Sequence, residues 1–501
     1  MNNIRKIDAS KYKDNKLLKI NKINYSLLAF FLVLIIGILT LFIPPIIGMA
    51  DNGDFYRVMN KSGAYHLNKN YNEIFLGYFI KDYGIYKYNN DYANLLISTQ
   101  SIFIKSAIVL DSLFTKDYVL DIRFMSIMFL IIESIGIYLL VKSLVNNINN
   151  NKYKLIITLI TILIFCDTGY LAYYNSFYGE SVNICCFLMS IGLLIYMIEF
   201  DKFIWYNLSA FGISSFLFFG AKQQLAPVGI LISFVFIIIG IYMKNKKSVK
   251  VLTWIFAVIF IISSGIFYKS ITGDFKYINI YHSMNRGILL NEDDPDSILG
   301  DFNISTQYSL LQETDFFEEI KLLDPYEEEL IDDYYKKFSL GKILEYYITH
   351  PKAFIKVLKI SFNNGYSIRP KVIGNYEQSE HKDFGAKSYF FATWSTLKEK
   401  FIPKNMLFTV STIAIYLYLS IDRFLRAIKD NNKKIQLKEI TYFYVFLVGI
   451  SQIIISVIGA GDADLSKHVF MYNMTFDLIF IYILSLIFEN KTIKSQGGFK
   501  L

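Results

Sequence analysis

Long apolar runs without charged residues recur along the whole chain. The first extends from Ser26 to Ala50, about 25 residues, which is enough for a helix to cross a hydrocarbon core of ~30 Å. Comparable runs predict ten membrane-spanning helices, at 26–49, 120–142, 155–174, 181–199, 204–221, 225–243, 251–268, 404–421, 440–459 and 468–488. We therefore expect an all-α polytopic membrane protein with about ten transmembrane helices.

Basic residues are distributed unevenly between alternate loops. Those that precede the first span place the N-terminus in the cytoplasm by the positive-inside rule, namely Arg5, Lys6, Lys11, Lys13, Lys16, Lys19 and Lys22. Alternation then puts three more basic loops inside, with Lys142, Lys152 and Lys154; with Lys244, Lys246, Lys247 and Lys250; and with Arg423, Arg426, Lys429, Lys433, Lys434 and Lys438. The short loops of the other face hold only Lys222 and Lys467. Both termini are thus expected in the cytoplasm.

Two segments predicted outside are too long to be simple connectors, and they set the domain organisation. We expect a basic cytoplasmic N-terminus at 1–25, helices one to seven at 26–268 with a first outer loop at 51–119, an extracytoplasmic domain at 269–403, helices eight to ten at 404–488 and a cytoplasmic tail at 489–501. The long basic lead and long apolar run argue against a cleaved signal peptide at Ala50.

The two outer segments carry helical patterns of their own. In the first outer loop the run from Leu95 to Phe114 is interrupted by Lys105 and Asp111, which is typical of an interfacial helix lying along the membrane. In the second segment, patterns at 315–338 and 341–362 predict helices, and His350-Pro351 is expected to break the latter in two. A small, mainly helical extracytoplasmic domain follows from these patterns.

Composition supports the membrane class and excludes several others. The chain is 53% hydrophobic and 19% charged, and its mean hydropathy is +0.36. The net charge of +8 is explained by sidedness and does not indicate a nucleic-acid partner. Cys166, Cys185 and Cys186 fall in apolar runs, so we expect buried thiols, not a disulfide framework or a zinc site. The inner loops are short and lack nucleotide-binding glycine motifs.

Polar residues collect at four span ends that share the predicted outer face. These clusters are Asp51, Asn52, Asp54 and Arg57 after the first span; Tyr173 to Glu180; Lys222, Gln223 and Gln224; and Asp462, Asp464, Lys467 and His468. Charges are costly within a membrane, so charged residues at span ends are the informative ones. A carboxylate to take a hydroxyl proton and cations to hold phosphate suit a phosphorylated, hydroxylated substrate at this surface.

Each cluster also has a purely structural explanation. Asp51 and Asp54 would simply stop the first helix, Glu180 would begin another, and Lys222 would reach toward lipid headgroups. Solvent exposure is expected for the other histidines, His66, His282, His350 and His381. Glu133 and Asp477 fall inside predicted spans, where either would pair with a neighbouring helix, and the sequence does not decide between them.

The layout resembles the GT-C superfamily of integral-membrane glycosyltransferases. The resemblance rests on an acidic motif directly outside the first span, an interfacial helix behind it, many further spans and a late extracytoplasmic domain. The segment from Tyr281-His282-Ser283 to Gly287-Ile288-Leu289, with Asp294-Pro295-Asp296 and Leu299-Gly300 after it, resembles bacterial hexose transferases of S-layer and cell-wall glycans. Tyr347 to Phe354 resembles a helix, His-Pro, helix element of several GT-C enzymes. Met284-Asn285-Arg286 departs from the more apolar residues expected there.

This resemblance implies an inverting transfer of a hexose from a polyprenyl-phosphate donor to a glycan or cell-surface acceptor, at the extracytoplasmic face of the cell membrane. The first-loop aspartate would be the general base, with Asp54 preferred over Asp51. Lys222, Lys467 and His468 are the candidates to hold the phosphate, and the remaining substrate-binding candidates are Arg57, Glu180, Gln223, Asp462 and Asp464. No cofactor is expected beyond a divalent metal bridging Asp51 or Asp462 to phosphate, which is left open.

Other functions fit the same layout. A transporter or lipid flippase would place its site near the midplane, often between two matching halves that this chain lacks. A polymerase or ligase of lipid-linked glycans would share the basic outer site, but paired arginines in the outer loops are absent. A non-catalytic glycan-binding scaffold has no specific support.

Overall fold

A computed structural model describes residues 23–87, 97–243, 246–270, 273–290, 292–318 and 322–495. The basic stretch at 1–22, Lys244 and the end of the tail at 496–501 lie outside the described residues. The structure therefore does not bear on the predictions made for them.

Helices dominate the described part of the chain. They are α1 (Tyr25–Leu41), α2 (Tyr56–Ser62), α3 (Tyr71–Ile74), α4 (Gln100–Phe114), α5 (Arg123–Leu144), α6 (Asn151–Phe165), α7 (Thr168–Leu171), α8 (Glu180–Phe200), α9 (Trp205–Phe219), α10 (Val228–Tyr242), α11 (Lys247–Lys269), α12 (Gly273–Ser283), α13 (Pro295–Asp301), α14 (Glu328–Leu330), α15 (Leu340–Thr349), α16 (Pro351–Asn364), α17 (Thr393–Phe401), α18 (Met406–Lys429), α19 (Lys433–Ala460), α20 (Leu465–His468) and α21 (Phe470–Ser495). The strands are β1 (Ala64–Tyr65), β2 (Asp82–Ile85) and β3 (Val119–Asp121).

Six of these helices, α5, α8, α11, α18, α19 and α21, are long and apolar enough to cross a membrane. A seventh span results if α6 and the segment Thr168–Tyr174, which meet at a bend of 42°, are counted together. The shorter apolar helices α1 and α10 accompany them. A helix thus lies in each of the ten predicted segments, while length and composition alone support six or seven spans.

Two helix ends differ from the predicted ones for identifiable reasons. The sequence predicts a first span that reaches residue 49, but α1 ends at Leu41, because Pro44 and Pro45 follow and cannot continue a helical hydrogen-bond ladder. The third span breaks after Phe165, where the Asp167 carboxylate accepts a hydrogen bond from Gly169 N at 2.8 Å and caps a new helical turn. Neither Asp51 nor Asp54 therefore stops the first helix.

A three-stranded antiparallel sheet, in the order β1-β2-β3, occupies the first outer loop and extends past its predicted end to Asp121. The all-α expectation does not include this sheet. The helix that the sequence predicts along the membrane is present as α4 and begins at Gln100. Its buried Asp111 accepts from Thr115 Oγ1 at 2.6 Å and from Asp121 N at 2.7 Å, which anchors the helix to β3. Ile102 and Val109 are exposed on its outer side, as expected of a helix lying on a membrane.

The outer segment 269–403 has a hydrophobic core of its own, formed largely by α12, α13, α15 and the turns between them and completed by Val457 of α19. The break at His350-Pro351 is confirmed, since α15 ends at Thr349 and α16 begins at Pro351. The helix predicted at 315–338 is wrong: the described part of that stretch contains only α14 and a π-helical turn at Ile331–Tyr335. Asp315 and Asp324 instead bind the backbone N–H two residues ahead, at 2.9 and 3.0 Å, which favours turns over helix.

Backbone hydrogen bonds join the outer segment to the first outer loop. Residues 374–376 lie between 48–50 and 76–79: Gly374 O accepts from Ala50 N at 3.0 Å, and Gly374 N donates to Leu76 O at 2.8 Å. The Asn375 side chain adds a 2.8 Å bond to Gly48 O. The outer segment therefore helps to build the loop that carries Asp51 and Asp54.

Candidate functional site

Asp51 shapes the turn after α1. Its Oδ1 accepts from Gly53 N at 2.7 Å and from Phe55 N at 3.1 Å, and its Oδ2 lies 3.1 Å from His66 Nε2. The side chain is buried, and both carboxylate oxygens have partners. Asp51 thus holds the backbone of the acidic motif, while Asp54, three residues later, is left facing the other loops.

Asp54 is the more accessible of the two carboxylates, with a quarter of its side chain exposed. Arg57 Nη2 lies 2.8 Å from its Oδ1, and Lys467 Nζ donates to its Oδ2. Burial raises the pKa of Asp54, but the charges of Arg57 and Lys467 outweigh this and hold the pKa well below its usual range. In this structure Asp54 is an ionised carboxylate clamped between two cations.

Lys467 connects the fourth cluster to the first. Its ammonium is almost fully buried, binds Asp54, lies 3.3 Å from Asp464 Oδ2 and sits 4.7 Å from the centre of the Tyr178 ring. Burial lowers the pKa of Lys467, but the charges of Asp54 and Asp464 raise it above its usual value. The Tyr178 hydroxyl accepts from Asn52 N and donates to Ala50 O, both at 2.9 Å. Three of the predicted clusters therefore meet at this lysine.

A second ion pair lies beside the first. Lys222 Nζ is 2.7 Å from Glu180 Oε1, and Glu180 is the buried first residue of α8. The structure thus agrees with the expectation that Glu180 begins a helix and also gives it a charged partner. Lys222 is directed to this carboxylate, so its role is not explained by contact with lipid headgroups alone.

His468 does not supply a positive charge. Its Nδ1 lies 3.0 Å from Gln224 Oε1, while Gln224 Nε2 donates to His468 O at 2.9 Å. Burial, together with the charges of Lys222 and Lys467, lowers the pKa of His468 to about 3. His468 would therefore meet a phosphate as a neutral ring, and its place among the phosphate-holding residues stays a prediction.

A small cavity lies among these groups. It has a volume of about 10 Å³, enough for one water molecule, and is lined by Glu180, Asn183, Lys222, Gln224, Leu225, Gln452, Lys467, His468, Phe470 and Met471. Asn183 is buried, and its Oδ1 accepts no hydrogen bond from the described residues. The polar loops therefore close on one another, with the cations engaged by the protein's own carboxylates.

Two predicted substrate contacts lie apart from this group. Gln223 donates to Ile97 O at 2.5 Å, and Asp462 accepts from Arg286 Nε at 2.7 Å and from Arg286 Nη2 at 3.1 Å. Both side chains are engaged by partners other than the Asp54 and Lys467 pair. Their contact with substrate stays a prediction.

Several residues that build the site are not among those that the sequence singles out. His66 is expected in solvent, but only 13% of its side chain is exposed and it packs against Asp51. His282 is also buried and accepts from Phe316 N at 3.0 Å. Gln224 belongs to a recognised cluster without a role, and Arg286 stands out only as a departure from an apolar pattern. Their spacing in the sequence carries no signal for these contacts, which join residues between 15 and 244 positions apart.

The possibility of a metal site depends on Asp51 and Asp462. Among the described residues no group of three or more His, Cys, Asp or Glu side chains is placed to hold a metal ion. Asp51 binds His66 and two backbone N–H groups, and Asp462 binds Arg286. Neither carboxylate is surrounded by the oxygen ligands that a divalent cation requires.

Comparison with known proteins identifies one family. The family model described as the YfdI N-terminal transmembrane domain matches residues 10–500, which include both outer segments and all four polar clusters. No curated protein and no solved structure matches. With its six or seven apolar helices, the chain is a multi-pass membrane protein. It belongs to the YfdI N-terminal transmembrane domain family.

Proposed function

We propose that this protein is a membrane glycosyltransferase of the GT-C type. It transfers a hexose from a polyprenyl-phosphate donor to a glycan or cell-surface acceptor at the extracytoplasmic face of the cell membrane. The proposal includes ten crossings, with α1, α9 and α10 as short spans and both termini in the cytoplasm. One observation carries it: Asp54, a carboxylate with a quarter of its side chain exposed, lies against the cations Lys467 and Arg57, with Lys222 in the neighbouring loop.

The cations suit the phosphate of the donor. Lys467 is buried and positively charged. A phosphate oxygen that replaced the Asp54 carboxylate beside it would form a charge-assisted hydrogen bond in a partly dehydrated setting. Lys222 is the second candidate, since 24% of its side chain is exposed and it lines the same cavity as Lys467. Both contacts would strengthen as the phosphate gains charge on leaving.

Asp54 as it stands is a weak base, because two cations stabilise its ionised form. A phosphate that engages Lys467 and Arg57 would compete with Asp54 for them and neutralise their field. The pKa of Asp54 would then rise toward its usual value, and the carboxylate would become a better proton acceptor. Donor binding thereby converts Asp54 into a better base. This would explain why the catalytic carboxylate is paired with two cations while no donor is bound.

In the proposed reaction the acceptor hydroxyl oxygen attacks the anomeric carbon from the side opposite the phosphate. The hydroxyl proton goes to Asp54, the bond between the anomeric carbon and the phosphate oxygen breaks, and its electron pair leaves with polyprenyl phosphate. The anomeric configuration inverts. Every proton and electron pair is accounted for by the two substrates and one carboxylate.

The test uses the purified protein in liposomes with a polyprenyl-phosphate hexose as the donor. We expect release of polyprenyl phosphate and transfer of the hexose, and no use of a nucleotide hexose. Movement of the intact donor between leaflets without release would establish the flippase alternative, and joining of preassembled lipid-linked glycans would establish the polymerase or ligase alternative. The lipid-linked sugar that accumulates in cells lacking the protein identifies the hexose.

A further inference from the structure

Arg286 connects the outer segment to the turn between α19 and α20. Its guanidinium makes a two-pronged ion pair with Asp462, at 2.7 and 3.1 Å, and its Nη1 donates to Glu313 O at 2.7 Å. The side chains of Arg286 and Asp462 are 26% and 19% exposed, so the pair is shielded from full solvent screening. Two guanidinium nitrogens, Nε and Nη2, therefore tie this turn to the outer segment, while Nη1 fixes the guanidinium to the segment's own backbone at Glu313.

The backbones of the two segments also touch. Asp462 N donates to Arg286 O at 2.9 Å. Gly461 has a φ of +59°, and a Cβ there would lie 2.2 Å from Arg286 O, so a side chain does not fit. The turn is thus pressed against the π-helical segment Met284–Ile288 that carries Arg286.

The same turn leads directly to Lys467. Asp464 adopts a left-handed conformation with a φ of +43°, and its carbonyl accepts from Lys467 N at 3.1 Å. Since the Lys467 side chain is only 3% exposed, the surrounding atoms leave it little room to adopt other conformations. The position of its ammonium against Asp54 therefore depends on where the backbone of 461–468 lies.

We infer that Arg286 is a positioning residue that holds the 461–468 turn so that Lys467 meets Asp54. This inference rests on the proposed function only for its consequence, namely that Arg286 sets how well the donor phosphate is bound. It gives the outer segment a part in donor binding through a residue that need not touch the donor.

The test compares Arg286→Gln, Arg286→Lys, Asp462→Asn and the double variant Arg286→Gln/Asp462→Asn in the full-length protein. The matched control is Lys356→Gln, which breaks another ion pair of the outer segment, Lys356 Nζ to Glu292 Oε1 at 2.9 Å, of comparable exposure. Amide hydrogen exchange of 461–468 is measured in lipid nanodiscs. Steady-state kinetics then separate the KM for a polyprenyl-phosphate hexose from the KM for the acceptor.

We expect exchange in 461–468 to rise about tenfold in Arg286→Gln and in Asp462→Asn, with no further rise in the double variant, because both changes remove one contact. Arg286→Lys should restore part of the protection, since an ammonium cannot match the fork geometry. The donor KM should rise about tenfold and the acceptor KM should not change. The Lys356→Gln control should match wild type.

Wild-type exchange at 461–468 in Arg286→Gln would overturn the inference, as would additive effects in the double variant. A rise in the acceptor KM equal to that of the donor would show general loss of structure and would also overturn it. If wild-type protein uses no polyprenyl-phosphate sugar, the proposed function fails, whereas the exchange data still decide whether Arg286 holds the turn.

Discussion

The ammonium of Lys398 lies 2.9 Å from the carboxylate of Asp477, and neither side chain is exposed. Lys398 belongs to α17 of the outer segment, and Asp477 belongs to the apolar helix α21. Asp477 Oδ2 also accepts from Tyr170 at 2.7 Å and from Trp394 Nε1 at 3.0 Å. The sequence leaves open whether Asp477 or Glu133 pairs, and the structure gives Asp477 a charged partner.

Replacing Lys398 should be strongly destabilising. In Lys398→Met the Asp477 carboxylate stays buried without its counter-charge, and we expect a loss of about 3 to 5 kcal/mol in the free energy of unfolding. Lys336→Met removes an exposed pair with Asp332 and should cost less than about 1 kcal/mol. Thermal unfolding in detergent measures both, and equal shifts in the two variants would contradict a special role for the buried pair.

The base assignment is tested by Asp54→Asn. The amide keeps the size of the side chain but accepts no proton, so turnover should fall by about 10²- to 10⁴-fold while insertion stays normal. Asp82→Asn alters an exposed carboxylate of the same outer loop and serves as the control. If Asp54→Asn transfers hexose at the wild-type rate, Asp54 is not the general base, and Asp51, Glu180 and Asp464 become the candidates.

Acidification should destabilise the protein through His468. The folded chain protonates His468 only near pH 3, while the unfolded chain does so near 6.5, so the unfolded state binds an extra proton between these values. The free energy of unfolding should therefore fall by up to about 1.4 kcal/mol per pH unit as the pH drops below 6.5. Between pH 7.5 and 4.5, wild type should lose about 2 to 3 kcal/mol more than His468→Gln. Identical pH profiles would contradict a buried neutral histidine.

The junction between the outer segment and the first loop is tested at Gly374. A Cβ there would lie 2.0 Å from Gly77 O, so Gly374→Ala must displace backbone and should cost about 1 to 3 kcal/mol along with most activity. Gly300 in α13 has open space where a Cβ would lie, and Gly300→Ala should be neutral or stabilising by up to about 1 kcal/mol. The unfolding temperatures of the two variants are compared. An unchanged unfolding temperature in Gly374→Ala would show that the backbone at the junction is not closely packed.

Sidedness is tested by labelling single cysteines with a membrane-impermeant maleimide. Pro295→Cys should react from outside and Lys246→Cys should not, because the basic loops select the cytoplasm. The native Cys166, Cys185 and Cys186 are buried and should give little background. The reverse pattern would place all four polar clusters in the cytoplasm and remove the basis of the donor assignment.

The positions of the membrane helices could be predicted because they depend on local hydropathy. Each apolar run contains a helix, and the errors lie where local chemistry intervenes, as at Pro44 and Pro45 after α1. The helix predicted at 315–338 is reduced to residues 328–335, because short side-chain bonds from Asp315 and Asp324 favour turns before it, and the periodic pattern does not register such bonds. The sheet β1-β2-β3 escapes prediction because its strands span only two to four residues.

The sequence predicts which loops share one face of the protein, but it does not predict which side chains in those loops contact one another. The alternation of inside and outside loops along the chain predicts that the loops of Asp54 and Lys467 share one face. These residues are 413 positions apart, however, and nothing in either loop specifies the other as its partner. Arg286 has one signal, a charged residue in a segment expected to be more apolar. His66 has none, because its contact with Asp51 depends on the turn made by the intervening chain.

The hydrogen bonds between 374–376 and the first outer loop constrain the order in which the protein can be made. Asn375 and Gly48 are 327 positions apart, so the acidic loop leaves the ribosome long before the segment that completes it. Most membrane helices must insert before this contact can form, and such distant contacts are formed late. A chain whose synthesis stops before residue 370 can still insert its earlier helices into the membrane. Its acidic loop, however, lacks the backbone partners at 374–376 and cannot fold.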